Sequence, residues 1–146
     1  MTNRIRVALD AMGGDKGITT VVEGAARLSL EDRPVRILLV GDEPRVTAAL
    51  AAQRHDPRCI QVVHADGCVD MDEKPRQALL DKPDCSVNVA ARLVRDGDAD
   101  ALVSAGHTGA TILSASDHFQ RLPGIRRAAL AAVYPTEQKH GPRGDP

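Results

Sequence analysis

Residues 5–17 read Ile5-Arg6-Val7-Ala8-Leu9-Asp10-Ala11-Met12-Gly13-Gly14-Asp15-Lys16-Gly17, an apolar run of strand length that stops in a glycine turn. Apolar residues three and four apart follow from about Ile18, so the turn opens a helix whose first amide groups have no intrahelical acceptor. Gly13 and Gly14 together let the backbone take φ > 0 and come close to a ligand, and strand, turn and helix then form an anion cradle. One such turn is weak evidence, because many α/β proteins use it only as a connection.

A second turn of the same kind lies a little under a hundred residues later. Ala101-Leu102-Val103 runs into Ser104-Ala105-Gly106-His107-Thr108-Gly109 and then into Ala110-Thr111-Ile112-Leu113. In a parallel sheet such turns emerge at the carboxyl edge, and two of them face one crevice if their strands are neighbours at a switch point. Ser104 and Thr108 add hydroxyl donors suited to an anion with several acceptor oxygens. The candidate phosphate-binding set is therefore Gly13, Gly14, Ser104, Gly106, Thr108 and Gly109.

Working outward, strand-length apolar runs recur at 5–9, 35–40, 60–64, 101–104 and 128–133. Helical periodicity falls at 19–30, 44–53, 75–80, 86–95 and 108–121. The alternation predicts an α/β fold in which a mainly parallel sheet is covered on both faces, a three-layer α/β/α sandwich. Asp42 before Glu43-Pro44 fits a helix cap followed by proline in the first turn. The stretch 135–146 is polar and rich in Gly and Pro and reads as a loop or tail, leaving one α/β domain over 1–134.

Composition narrows the function classes. The 146 residues carry a net charge of -1 with 42% hydrophobic content, which suits one core and offers no electrostatic footprint for nucleic acid or an anionic membrane. Aromatic content is 1%, with Phe119 and Tyr134 alone, so stacking platforms for single-stranded nucleic acid are missing. Cys59, Cys68 and Cys85 match no zinc spacing and read as reduced thiols, while His55, His64, His118 and His140 share no ligand spacing. No apolar run has the length of a signal-peptide core or a membrane span, and the expected location is the cytoplasm. No cofactor and no metal site is expected.

Further strings fall into one order along the chain. Asp10-Ala11-Met12-Gly13-Gly14-Asp15 follows the first strand, Val22-Glu23-Gly24-Ala25 lies in the next helix, and Leu39-Val40-Gly41-Asp42 ends the second strand. Met71-Asp72-Glu73-Lys74-Pro75, Ser104-Ala105-Gly106, Thr108-Gly109-Ala110 and Leu122-Pro123-Gly124-Ile125 come after them. This order resembles the phosphate acyltransferases of bacterial phospholipid synthesis, the PlsX family, over most of the chain. The resemblance implies transfer of a fatty acyl group from acyl carrier protein to inorganic phosphate, giving acyl phosphate. It also implies a fold similar to the isocitrate and isopropylmalate dehydrogenases, and a homodimer. Members of that family are longer, so the chain is expected to hold the amino-terminal half of their fold. Peripheral membrane association belongs to the full-length family and draws no support from this chain.

The chain departs from the family pattern in two places. His107 stands where Asn is usual, and Leu79-Leu80-Asp81-Lys82-Pro83-Asp84-Cys85-Ser86 replaces a more basic run ending in paired serines, with Leu80 at an Arg position.

Phosphate attacking a thioester needs position and charge compensation more than an activated protein nucleophile, because its oxygen is already anionic. The candidate catalytic residues are Lys74, which supplies positive charge, with Asp10 and His107. A lone loop lysine is ordinarily a solvated one; the cradles and the family string raise Lys74 above that reading. Asp10 and Asp15 either cap their turn or bridge to phosphate through Mg²⁺, with Lys16 as a neutralising partner, and the cap is the more frequent use of such residues. His107 either donates to phosphate or caps the helix at Thr108. Two other function classes stay open, a phosphate-binding domain without catalysis and an NAD-dependent dehydrogenase. The second lacks the Gly-x-Gly-x-x-Gly order and an assignable ribose-binding acid.

Overall fold

The computed structural model describes residues 4–132; the loop expected over 135–146 lies outside them. In chain order the elements are β1 Ile5–Asp10, α1 Gly17–Ser29, β2 Val35–Gly41, α2 Glu43–Ala51, β3 Ile60–His64, α3 Pro75–Asp81, α4 Ser86–Arg95, β4 Ala101–Ser104 and α5 Thr108–His118. The four strands form one parallel sheet in the order β3-β2-β1-β4.

β2 sits inside the sheet, and its alternate side chains divide between two cores. Ile37 and Leu39 pack with Val22, Ala25 and Ala26 of α1 and Val46 and Leu50 of α2. Leu38 and Val40 face the opposite way, onto Ala90 of α4. A third cluster joins α3, α4 and α5 through Ala78, Leu79, Val87 and Ala110. Small residues at these contacts let the helices lie close to the sheet. Asp42 caps α2 as expected, its Oδ1 accepting from the Arg45 amide at 2.9 Å.

β4 is short, and Arg6 and Asp100 fix where it meets β1. The Asp100 amide donates to the Arg6 carbonyl at 2.7 Å, and the Asp100 carboxylate accepts from the Arg6 amide and guanidinium at 2.8 Å each. The register then pairs Asp10 with Ser104 at the far end.

Two expectations need correction. Residues 128–132 form no strand, and Val133 lies outside the described residues. Ala128-Ala129-Leu130-Ala131-Ala132 has little β-branched or aromatic surface to favour pleated pairing, and among the described residues it pairs with no strand. The last helix ends at His118 rather than near 121. Beyond it, Leu122-Pro123-Gly124-Ile125 makes a turn in which the Ile125 amide donates to the Leu122 carbonyl at 3.0 Å, with Gly124 at φ 84°. Proline then positive-φ glycine is the sequence of a type II turn, which redirects the chain before another helical turn can form.

Candidate functional site

From β1 the chain steps outward to β2 on one side, and β4 returns on the other. The carboxyl ends of β1 and β4 therefore flank the switch point, and both glycine turns open there. Asp10 and Ser104 are the last residues of the two strands and face each other in register.

A continuous set of hydrogen bonds joins the turns. Asp10 is 3% exposed, and its Oδ1 accepts from the Met12 amide at 3.0 Å and the Gly13 amide at 3.1 Å. Its Oδ2 accepts from the Ser104 hydroxyl at 2.7 Å, and the Ser104 oxygen accepts from the Gly106 amide at 3.1 Å. One carboxylate thus closes its own turn and ties it to the other. The backbones also touch: a Cβ on Gly13 would stand 2.7 Å from the Gly106 nitrogen and 2.8 Å from its Cα. Gly14, at φ 102°, supplies the left-handed conformation, whereas Gly13 serves close approach of the two turns.

This arrangement changes which donors face a ligand. The Gly13 and Gly106 amides and the Ser104 hydroxyl are engaged inside the protein. The amides of Gly14, Asp15, Lys16, Ala105, His107 and Thr108 have no acceptor among the described residues. The Ala105 amide escaped the sequence reading, which weighed the turn amides at 13–14 and 106–109 and the hydroxyls; the signal available was its place before a helix start. The Thr108 side chain is exposed.

His107 caps α5: its Nδ1 accepts from the Gly109 amide at 3.1 Å and the Ala110 amide at 3.3 Å. Nδ1 must then be unprotonated, which leaves Nε2 as the donor of the neutral ring. Replacing His107 by Ala removes the cap and is expected to cost about 1 kcal/mol in urea unfolding, whereas Asn, itself a good cap, stays within about 0.5 kcal/mol of the unaltered chain.

Lys74 reaches the same region from another loop. It directly precedes α3, and Pro75 packs so near the start of α5 that a Cβ on Gly109 would be 3.1 Å from the proline ring. Lys74 is exposed and forms no ion pair or hydrogen bond through its side chain among the described residues. Asp15 is also exposed, and Lys16 pairs with neither Asp10 nor Asp15 among the described residues. Asp10, Gly13, Ser104, Gly106 and His107 line one small cavity together with Cys68 and Thr111. Burial, then the Asp70 and Asp10 carboxylates, push the Cys68 thiol up, so it is a thiol and a poor nucleophile at neutral pH. No group of three His, Cys, Asp or Glu among the described residues is placed to hold a metal ion.

A family model described as fatty acid synthesis protein matches residues 5–142. The phosphate acyltransferase of Oleidesulfovibrio alaskensis is 46% identical over 140 residues, which is 95% of this chain and 40% of that protein. Those of Gloeothece citriformis and Koribacter versatilis are 45% and 43% identical, with 92% of this chain and 38% of the relative covered in each case. The chain spans about two fifths of the length of the curated relatives it matches.

Proposed function

This chain belongs to the fatty acid synthesis protein family, and from that membership we propose that its paired turns hold inorganic phosphate for attack on a fatty acyl thioester of acyl carrier protein. The observation that carries the reading is the hydrogen-bonded junction of two strand-to-helix turns at one switch point, with unpaired amides on both. Backbone N–H groups at helix starts are suited to a phosphate dianion, and Lys74 adds positive charge near the α5 turn.

In the proposed reaction a phosphate oxygen forms a bond to the thioester carbonyl carbon, and the carbon–sulfur bond breaks. Hydrogen phosphate gives its proton to the departing thiolate, so acyl phosphate and free carrier thiol are the products. Preorganised amides compensate charge on phosphate and on the developing oxyanion, while the buried Asp10 fixes the turns rather than meeting the dianion. The Nε2–H of His107 adds a donor. A homodimer and a cytoplasmic location are parts of this same proposal. No helix among the described residues is long and apolar enough to cross a membrane.

Phosphate binding without turnover is a second reading, because the unpaired amides of the two turns suit an anion whether or not a thioester is brought to it. One assay separates them. Phosphate-dependent loss of an acyl thioester supports transfer; phosphate protection against heat with no thioester loss supports binding alone. Lys74→Ala is expected to raise the phosphate KM, or Kd if there is no turnover, about tenfold with the melting temperature nearly unmoved. If the variant unfolds while its folded fraction keeps full phosphate affinity, Lys74 has no part in the site.

A further inference from the structure

The loop between β3 and α3 ends in Lys74, and one side chain links its two ends. The Lys82 ammonium, at the carboxyl end of α3, donates to the Cys68 carbonyl at 3.2 Å and to Glu73 Oε2 at 2.7 Å. The same Glu73 oxygen accepts from the Asp70 amide at 2.8 Å, and the Glu73 amide donates to the Asp70 carbonyl at 3.2 Å. Residues 68, 70 and 73 are thus gathered around one ion pair, immediately before Lys74. Two backbone bonds, from the Asp66 amide to the Asp84 carbonyl and from the Ser86 amide to the Gly67 carbonyl, hold only the start of the loop. Cys68, whose carbonyl takes the Lys82 bond, lines the small cavity at the switch point.

We propose that Glu73 and Lys82 form a positioning pair that holds the Lys74 turn beside the α5 cradle for phosphate. The inference rests on the phosphate reading above. Without Lys82 the end of the loop loses its tie to Cys68, and the Glu73 carboxylate is left uncompensated one residue from Lys74. Both changes oppose an arriving anion, the first by letting Lys74 wander and the second by charge. The bond between the two holds the Glu73 carboxyl below and the Lys82 ammonium above their ordinary values.

The test uses the full 146-residue chain with inorganic phosphate as ligand, titrated by calorimetry, and hydrogen exchange read at single amides. Lys82→Met is expected to weaken phosphate binding about tenfold and to speed exchange at the Asp70 amide, with β2 amides still protected. Lys82→Arg, which can donate to both acceptors, should restore both readouts. Lys74→Ala added to Lys82→Met should cost little beyond either change alone, because both act through one ammonium. Phosphate affinity unchanged in Lys82→Met, or full additivity of the two losses, overturns the pairing role while leaving the cradle intact. An unaltered chain that binds no phosphate removes the cradle reading, and the positioning role falls with it.

Discussion

Replacing Gly13 by alanine is expected to cost about 3 kcal/mol of stability and to remove measurable phosphate binding. Gly13 does not need a left-handed backbone; positive φ belongs to Gly14. The cost is steric. A Cβ at position 13 would lie 2.7 Å from Asp10 Oδ2, 2.7 Å from the Gly106 nitrogen and 2.8 Å from the Gly106 Cα. Two of those three atoms are backbone and cannot swing aside, so the turns must separate, which stretches the Ser104 bond between them. Gly24 in α1 is the control, because nothing lies within 4 Å of its Cβ position and its φ is not positive. Gly24→Ala should leave phosphate binding unchanged and stabilise the chain by up to about 1 kcal/mol through helix propensity. Urea unfolding with phosphate calorimetry on both variants checks the pair. A Gly13→Ala chain with unaltered stability and affinity would mean that the turns are not in the contact described.

Much of this architecture was legible because local and global signals agree. The run 37–40 is apolar at successive positions since β2 is buried there on both faces, and the two small polar turns end strands that lie side by side. The part that stayed hidden depends on pairs far apart in the chain. An Asp two residues before Met12 announces a turn closed on its own backbone, and Oδ1 makes that contact. Nothing local announces that Oδ2 reaches Ser104, 94 residues away. For the same reason Ser104 read as a free donor, although its proton goes to Asp10. Residues 128–132 behave in the opposite sense: apolar residues of strand length suggest a strand, yet small side chains without a pairing neighbour among the described residues do not hold pleated backbone.

Asp10 decides whether the centre of the site is chemistry or scaffold. Asp10→Ala takes the acceptor from three donors, the Met12 and Gly13 amides and the Ser104 hydroxyl, and is expected to cost about 4 kcal/mol, since each buried donor left unpaired costs on the order of 1–3 kcal/mol. Asp10→Asn is the informative variant. Its amide oxygen keeps the two backbone bonds, and its NH₂ meets the Ser104 oxygen, which can accept twice while its own proton turns elsewhere. The expected loss is then only about 1 kcal/mol. Phosphate affinity should be equal or higher, because a buried negative charge beside the dianion has been removed and the geometry of the turns retained. If Asp10→Asn folds and binds phosphate but transfers no acyl group under conditions where the unaltered chain does, the carboxylate takes part in the reaction itself. If it binds and turns over, Asp10 acts by joining β1 to β4, and the reacting groups are the amides, Lys74 and His107 arranged around that junction.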